Sequence, residues 1–394
     1  MKTNIFLELR DINKNFLGKK NVIQNLSLQI SKNSFFVLVG PSGCGKSTLL
    51  KIISGLVEPD SGQIIINKID CTNLEPGKRN IAMVFQDLAL YPNMTVEENL
   101  TFALKSKKVS RDKIENKLKM LLTLLKLEDI KNRLPDEISG GEKQRTALGR
   151  AMIKEPDIYL MDEPMSNLDL RLKSSLIQEL STIHKTLPST IIYVTHDQEE
   201  AMQLADAVGV MFEGKIMQLG SPEDIYKYPK NLFVATFFGH PIMNIAQAKI
   251  QKNNLIFNKK NLGTKEKLGL NPKNNANTCL IGIRPEDIII KTGRKTKMHF
   301  EVVIKNVSNL GNSFLIYFDL PVKPSKLIDK YYGEKDIFRD SEEMVEFIAK
   351  LPPNIKYEMG QSVLVEFPIN KLVFFDSDSG ENLLTNLTGT TIDF

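Results

Sequence analysis

Cysteine is scarce in this chain: the 394 residues include three, Cys44, Cys71 and Cys279. They are far apart and odd in number, so they indicate neither a disulfide framework nor a CxxC metal site. This usage is typical of proteins that stay in a reducing cytoplasm.

Long hydrophobic runs are also missing. The N-terminal stretch, MKTNIFLELRDINKNF, interrupts its apolar residues with charges and lacks a signal-peptide core. No uncharged run approaches the length of a membrane span. We therefore expect that, if the protein works at a membrane, other chains hold it there.

The excess of positive charge is small. The formal net charge is +5, which is too weak a bias to argue for nucleic acid but is compatible with a position near anionic lipid headgroups. Charge alone therefore assigns no partner.

The most informative segment present is a glycine-rich loop between an apolar run, Phe35 to Val39, and a helix-like run that begins near Ser47. Glycines allow successive backbone N–H groups to point at phosphate oxygens, and the helix N-terminus adds partial positive charge. Lys46 can reach the β- and γ-phosphates, and the Ser47 hydroxyl can ligate Mg²⁺. The alternative is a turn that binds nothing, but the motif and both flanks are complete. The predicted phosphate-binding residues are Gly40, Pro41, Ser42, Gly43, Cys44, Gly45, Lys46, Ser47 and Thr48.

A second chemical element is the run Ile158 to Met161, which ends in two carboxylates, Asp162 and Glu163. A buried parallel strand has this pattern, and ligands bind at the carboxyl end of such strands. Asp162 would hold Mg²⁺ through water, and Glu163 would polarise the water that attacks the γ-phosphate. The alternative is a core strand that ends in a solvated acidic turn.

A third element follows at ISGGEKQR, residues 138–145, before a run of helix formers. Ser139 can cap that helix, and the N–H groups of Ser139, Gly140 and Gly141 offer a second anion site. One chain then carries two surfaces that can bind phosphate.

The organisation of the chain divides in two. Residues 1–238 alternate strands and helices, as a P-loop α/β domain should, with a helical subdomain at about 91–152. There Ile114, Leu118, Leu121, Leu122 and Leu125 follow a helical period, which we interpret as a plain core face. Residues 239–394 show short β-like runs between Asn/Lys-rich loops, with a partly helical segment at about 321–353 interpreted as an insertion. We predict a second, mostly β domain there.

Together the motifs resemble those of ATP-binding-cassette (ABC) ATPases. The remaining family motifs occur in order: Gln86 in VFQ, the turn that contains Asn167 and Asp169, and His196 in VTHD. The resemblance implies that Phe16 stacks on adenine, that His196 contacts the γ-phosphate, and that Gln86 senses Mg²⁺ and water. Phe16 could instead be a core aromatic, and His196 or Gln86 a structural residue.

Longer stretches, including VTHDQEEAMQLADAVGVMFEGKIMQLGSPEDIY, GHPIMN and IGIRPEDI, look like ATPases of carbohydrate importers of the maltose and sn-glycerol-3-phosphate type. This resemblance implies an OB-fold-like regulatory domain after residue 238. The chain departs from that pattern at Glu142, where glutamine is usual, at Ile138, where leucine is usual, and at Asn93, where histidine is frequent.

The resemblance also implies partners. A site built from Lys46, Ser47, Asp162 and Glu163 still needs hydrogen-bond donors on the far side of the γ-phosphate. We therefore expect two subunits to close head to tail around two ATP molecules, each offering its Ser139–Gly141 surface. It further implies two membrane permease subunits docking near Ala89 to Pro92, an extracytoplasmic binding protein, and a peripheral position on the cytoplasmic face of the membrane.

Three alternatives stay open for the function. They are an importer for polyamine or another solute, a soluble cassette ATPase of translation or DNA repair, and nucleic-acid binding by the β domain. A soluble cassette would usually carry two cassettes or a coiled-coil insertion, and neither is evident. The basic run 291–297 has few interleaved aromatics, so no nucleic-acid partner is expected.

Overall fold

The computed structural model describes residues 4–16, 19–166, 168–187, 189–270, 277–291, 299–332, 343–354 and 356–384. The chain forms two compact units, one up to Glu223 and the other from Asp224, each with its own hydrophobic core. Within the described ranges, no helix is both long and apolar enough to cross a membrane.

The first unit contains two sheets in its described part. Their strands are β1 (Ile5–Phe16), β2 (Lys19–Ser31), β3 (Phe35–Val39), β4 (Ser61–Ile66), β5 (Ile69–Asp70), β6 (Ile81–Val84), β7 (Ile158–Asp162), β8 (Thr190–Thr195), β9 (Ala207–Phe212) and β10 (Lys215–Gly220). Its helices are α1 (Lys46–Ser54), α2 (Val96–Ser106), α3 (Arg111–Leu125), α4 (Gly140–Met152), α5 (Leu170–Thr186) and α6 (Gln198–Leu204). A further helix, α7 (Pro222–Lys227), spans the boundary between Glu223 and Asp224.

The larger sheet has the order β10-β9-β3-β8-β7-β6. Strands β9, β3, β8, β7 and β6 are parallel to their neighbours, and β10 joins antiparallel. All five residues of β3 are buried, as expected for a parallel strand covered on both faces. The carboxyl ends of β3, β7 and β8 therefore meet at one edge, which brings together the residues that follow them. The smaller sheet is antiparallel, in the order β2-β1-β4-β5.

The helical subdomain is built on capped, amphipathic helices. Thr95 caps α2 in a reciprocal capping box with Glu98. The stripe predicted on α3 is buried, and it packs in one cluster with apolar residues of α2. The interpretation of that stripe as a core face is confirmed.

The second unit is rich in strands, as predicted. Its elements are α8 (Leu232–Phe237), β11 (Asn244–Gln251), β12 (Asn254–Phe257), β13 (Lys260–Thr264), β14 (Thr278–Ile283), β15 (Ile289–Lys291), β16 (His299–Asn309), β17 (Phe314–Leu320), α9 (Lys326–Tyr332), β18 (Val345–Leu351), β19 (Ser362–Glu366) and β20 (Val373–Asp376). The described strands of this unit form two antiparallel five-stranded sheets, with the orders β13-β12-β11-β14-β20 and β15-β19-β16-β17-β18. The shared core includes phenylalanines whose rings contact one another, Phe257, Phe300, Phe347 and Phe367.

Two parts of the predicted domain organisation differ from the structure. The compact units divide before the predicted boundary at 238/239, because Leu232 and Ala235 of α8 pack in one cluster with residues of β11, β14 and β20. The predicted insertion, 321–353, includes β18, which pairs with β17 and places Phe347 in the core. That strand belongs to the sheet. Residues 333–342 of the same segment lie outside the described residues.

Candidate functional site

The glycine-rich loop leaves β3 and enters α1 at Lys46. Gly45 has φ +110°, a left-handed conformation that favours glycine. A Cβ atom on Gly40 would lie 2.2 Å from a backbone oxygen of β9, so only glycine fits there. The buried Lys46 ammonium donates to the carbonyl oxygens of Gly40 (2.8 Å) and Pro41 (3.0 Å). The lysine therefore lies against the loop predicted to bind phosphate.

Ser47 and Asp162 meet although they are distant in the sequence. The Ser47 hydroxyl donates to Asp162 Oδ1 at 2.7 Å. Burial raises the pKa of Asp162, the hydrogen bond from Ser47 opposes this, and the neighbouring Glu163 charge adds to it. A hydroxyl beside a buried carboxylate fits a Mg²⁺ ion that takes its other ligands from phosphates and water. In the described part of the chain, no group of three or more His, Cys, Asp or Glu side chains could hold a metal ion. A Mg²⁺ ion here would therefore need ligands from the nucleotide and water.

Glu163 lies at the centre of the cluster. Its Oε1 is 3.8 Å from Lys46 Nζ, and its Oε2 is 3.0 Å from His196 Nδ1. Glu163 has φ +43°, an uncommon value for a residue with a side chain, and its N–H donates to the carbonyl of Val194 at the end of β8. The structure thus brings together five predicted site residues: Lys46, Ser47, Asp162, Glu163 and His196.

Gln86 and Phe16 do not join that cluster. Gln86 is exposed in the turn after β6, and no hydrogen bond to Ser47, Asp162 or Glu163 is found for it among the described residues. Phe16 is the last residue of β1 and is 41% exposed, which contradicts the alternative of a core aromatic. The Lys14 ammonium lies 5.4 Å from its ring centroid.

The signature segment ISGGEKQR forms the capped start of α4. Ser139 Oγ accepts from the N–H of Glu142, and the Glu142 carboxylate accepts from the Ser139 N–H (2.7 Å) and hydroxyl (2.8 Å). These bonds from Ser139 hold the pKa of Glu142 below its usual range. Glu142, the departure from the family pattern, therefore completes a capping box.

Asp169 is the other predicted nucleotide contact, in the turn that also contains Asn167. Asp169 caps α5 and accepts from the N–H groups of Arg171 and Leu172, and Asn167 lies outside the described residues. Leu172 side-chain atoms would lie 2.6 Å from a Cβ on Gly141. In the described part of the chain, no hydrogen bond of the signature segment reaches Lys46, Ser47, Asp162 or Glu163.

One set of residues beside the site escaped the sequence analysis. Lys173 Nζ on α5 lies 2.5 Å from Asp197 Oδ2 and 2.6 Å from Glu200 Oε1. The Tyr193 hydroxyl donates to the other oxygen of Glu200 at 2.8 Å. Asp197 directly follows His196 and caps α6. The N-cap aspartate in VTHDQEE was a readable signal for α6, whereas nothing in the sequence indicates Lys173 as its partner.

Comparison with known proteins gives matches over most of the chain. A family model described as "ABC transporter" matches residues 23–166. The trehalose import ATP-binding protein SugC of Mycobacterium tuberculosis is 37% identical over 389 residues, which cover 95% of this chain and 97% of that protein. The chain belongs to the ABC family of import ATP-binding proteins. The maltose/maltodextrin import ATP-binding protein MalK of Photorhabdus laumondii is 36% identical and covers 88% of this ABC ATPase. The Fe(3+) ions import ATP-binding protein FbpC of Fusobacterium nucleatum is also 36% identical and covers 95%.

Solved structures resemble the ABC ATPase over about half of its length. A dimeric ATP-binding cassette in a post-hydrolysis state with ADP and Pi has a TM-score of 0.50 and 28% identity, and covers 55% of this chain and 98% of that one. The cbiO1 protein of Clostridium perfringens, part of the transporter complex cbiONQ, has a TM-score of 0.53 and 27% identity, and covers 56% of this chain and 90% of that one. The predicted fold and ATPase class are confirmed, and ATP is the nucleotide of this family.

Proposed function

We propose that this ABC ATPase powers the import of a sugar or related organic solute. The observation that carries the proposal is similarity to sugar import ATP-binding proteins through both units. The trehalose relative aligns with 95% of the chain, and the oligosaccharide import ATP-binding protein MsmX of Bacillus subtilis is 35% identical over the same share. The chain then works on the cytoplasmic face of the membrane with two permease subunits and an extracytoplasmic binding protein.

The five clustered residues supply the phosphate and water chemistry in this proposal, and Phe16 and Gln86, which lie outside the cluster, add contacts to the nucleotide and its metal ion. The loop N–H groups and Lys46 bind the phosphates, and Phe16 stacks on adenine. Ser47, Asp162 and Gln86 would hold Mg²⁺, which would neutralise phosphate charge. Glu163 accepts a proton from the attacking water, and the 3.0 Å contact with His196 orients its carboxylate. His196 also contacts the γ-phosphate.

Two copies of the chain complete the site. The signature residues Ser139, Gly140 and Gly141, with Asp169, serve the nucleotide of the partner subunit, since their hydrogen bonds do not lead to Lys46. The dimeric relative with ADP and Pi supports this arrangement. To test it, a Lys46→Ala chain and a Ser139→Arg chain are mixed. We expect partial recovery of ATPase activity, because one composite site per heterodimer is intact. A fully active Ser139→Arg homodimer would refute the arrangement.

Uptake decides between sugar and the second candidate substrate, Fe(3+), which the FbpC relative favours. Cells depleted of this chain receive the wild type or the Glu163→Gln variant, and uptake of labelled trehalose, maltose, glycerol 3-phosphate and Fe(3+) is measured. We expect an organic solute to enter only with the wild type. If Fe(3+) alone shows that dependence, the sugar proposal is wrong, and the ATPase assignment is unaffected.

A further inference from the structure

The turn after Gln86 has an unusual backbone. The Leu88 N–H donates to the Phe85 carbonyl at 2.9 Å, which closes the turn. Leu88 and Ala89 then adopt φ +60° and +45° in succession. Both carry a Cβ atom, which disfavours left-handed backbone. Contacts from outside the turn must therefore stabilise this conformation.

Arg150 makes those contacts. It lies near the C-terminal end of α4, and its guanidinium donates to the carbonyl of Leu88 at 2.8 Å and to that of Ala89. The same group lies 5.6 Å from the centroid of the Tyr91 ring. A planar fork of donors suits two neighbouring carbonyl groups, and a lysine ammonium does not offer that geometry.

A second buried side chain fixes the other end of the loop. Asn99 on α2 is fully buried; its amide oxygen accepts from the Tyr91 N–H at 2.9 Å, and its amide nitrogen donates to the carbonyls of Tyr91 and Met94. Gln86 and Ala89 are exposed. The loop thus exposes Gln86 and Ala89 to solvent while two helices hold its backbone.

We propose that Arg150 is a positioning residue that connects the loop after Gln86 to helix α4, which begins at the signature segment. Helix α4 starts at the residues proposed to contact the partner's nucleotide, and Arg150 lies near its opposite end. A helix moves as a rigid element, so Gln86 and Ser139 change position together. The inference rests on the proposed roles of Gln86 and Ser139 in ATP hydrolysis.

The test measures loop order and turnover separately on the purified full-length chain. In Arg150→Met we expect faster hydrogen exchange of the amides in residues 86–92, and a kcat for ATP lower by about 10- to 100-fold with little change in KM. Arg150→Lys should lie between Arg150→Met and the wild type. Arg79→Lys is the matched control, because Arg79 also donates to several buried carbonyls but not to this loop. It should lower thermal stability and leave loop exchange unchanged.

Glycine substitution separates positioning from general packing. Glycine adopts left-handed backbone without a steric penalty, so Leu88→Gly with Ala89→Gly should restore most of the kcat lost in Arg150→Met or Arg150→Lys. A further loss of kcat on adding the glycines, or unchanged exchange of residues 86–92 in both Arg150 variants, overturns the inference. The exchange measurement does not depend on activity. A wild-type chain without ATPase activity would instead contradict the proposed function.

Discussion

At the scale of single residues, Glu163 has the central proposed role, that of the base in ATP hydrolysis. Its carboxylate lies between Lys46 and His196, where it can accept a proton from water while its orientation is held. A glutamine has nearly the same shape but cannot take that proton. Replacing Glu163 with glutamine therefore removes the proton acceptor and keeps the shape of the side chain.

We predict that Glu163→Gln retains ATP binding and hydrolyses ATP about 10²- to 10⁴-fold more slowly. Single-turnover hydrolysis and nucleotide binding by the purified chain measure the two effects. His196→Ala, which removes the orienting partner but leaves Glu163 in place, serves as a comparison. Turnover by Glu163→Gln near the wild-type rate, in the full transporter, would remove Glu163 from the role of base.

Glu142 is a second residue whose charge matters. Its carboxylate takes up the N–H and hydroxyl of Ser139, the groups proposed to meet the partner's phosphate. Negative charge at a helix N-terminus favours the helix but opposes an incoming anion. The capping box and the proposed second anion site therefore compete for the donors of Ser139.

We predict that Glu142→Gln strengthens ATP-dependent dimerisation by about 2- to 5-fold, because the amide oxygen can still accept from Ser139 while the negative charge is gone. Sedimentation with increasing ATP measures this change. Glu142→Ala is the control, since it removes the cap together with the charge and should lower thermal stability. Equal ATP dependence in the wild type and Glu142→Gln would contradict the prediction.

At the scale of elements, Lys173 joins α5 to α6. Burial lowers the pKa of Lys173, but its bonds to Asp197 and Glu200 outweigh this and raise the pKa above its ordinary 10.5. Burial likewise raises the pKa of Asp197, and the contact with Lys173 outweighs it, leaving the pKa below its ordinary 3.8. The ion pair between Lys173 and Asp197 thus stabilises the fold at pH values between the depressed pKa of Asp197 and the raised pKa of Lys173. That stability is lost as pH falls through the depressed pKa of Asp197 or rises through the raised pKa of Lys173.

We predict that Lys173→Met lowers the free energy of unfolding by about 3 kcal/mol at pH 7, because it leaves two carboxylates without their cation. Urea denaturation measures the loss, which should shrink as pH falls below the ordinary pKa of aspartate and through the depressed pKa of Asp197. Adding Glu200→Gln to Lys173→Met should recover part of the stability. If it recovers none, the triad is not the source of the effect.

At the scale of the whole molecule, the position of α8 decides where the chain can be divided. Leu232 and Ala235 are buried among Met243, Ile245 and Leu280 of the second unit. Arg284 of the IGIRPEDI motif is also buried, and it donates to the carbonyls of Ala235, Phe238 and Tyr226. Residues 224–238 therefore belong structurally with the β-rich unit.

We predict that a chain ending at Glu223 folds and binds ATP, because Lys46, Asp162, Glu163 and His196 all lie in the first unit. A chain ending at Phe238 should aggregate, because α8 loses the cluster that covers its apolar face. Gel filtration and nucleotide binding on both truncations check this. A folded chain ending at Glu223 that fails to bind ATP would mean that the second unit contributes to the site.

The sequence alone determined the local chemistry of this protein. A phosphate loop depends on consecutive residues with particular backbone freedom, so Gly40 to Ser47 could be read directly. The buried run before Asp162 and the capped start of α4 are equally local. Family motifs in fixed order then assigned Glu163 to the attacking water and His196 to the γ-phosphate, and the structure places these two side chains 3.0 Å apart.

Only the tertiary structure decided which distant residues support that chemistry. Arg150 is 61 residues from Ala89, and Lys173 is 24 from Asp197, and neither pair follows a periodic pattern. Whether such side chains meet depends on the packing of helices against the sheet, which no local window of sequence contains. The same reason applies to α8 and β18, because an apolar face shows that a segment is buried but does not show which core covers it.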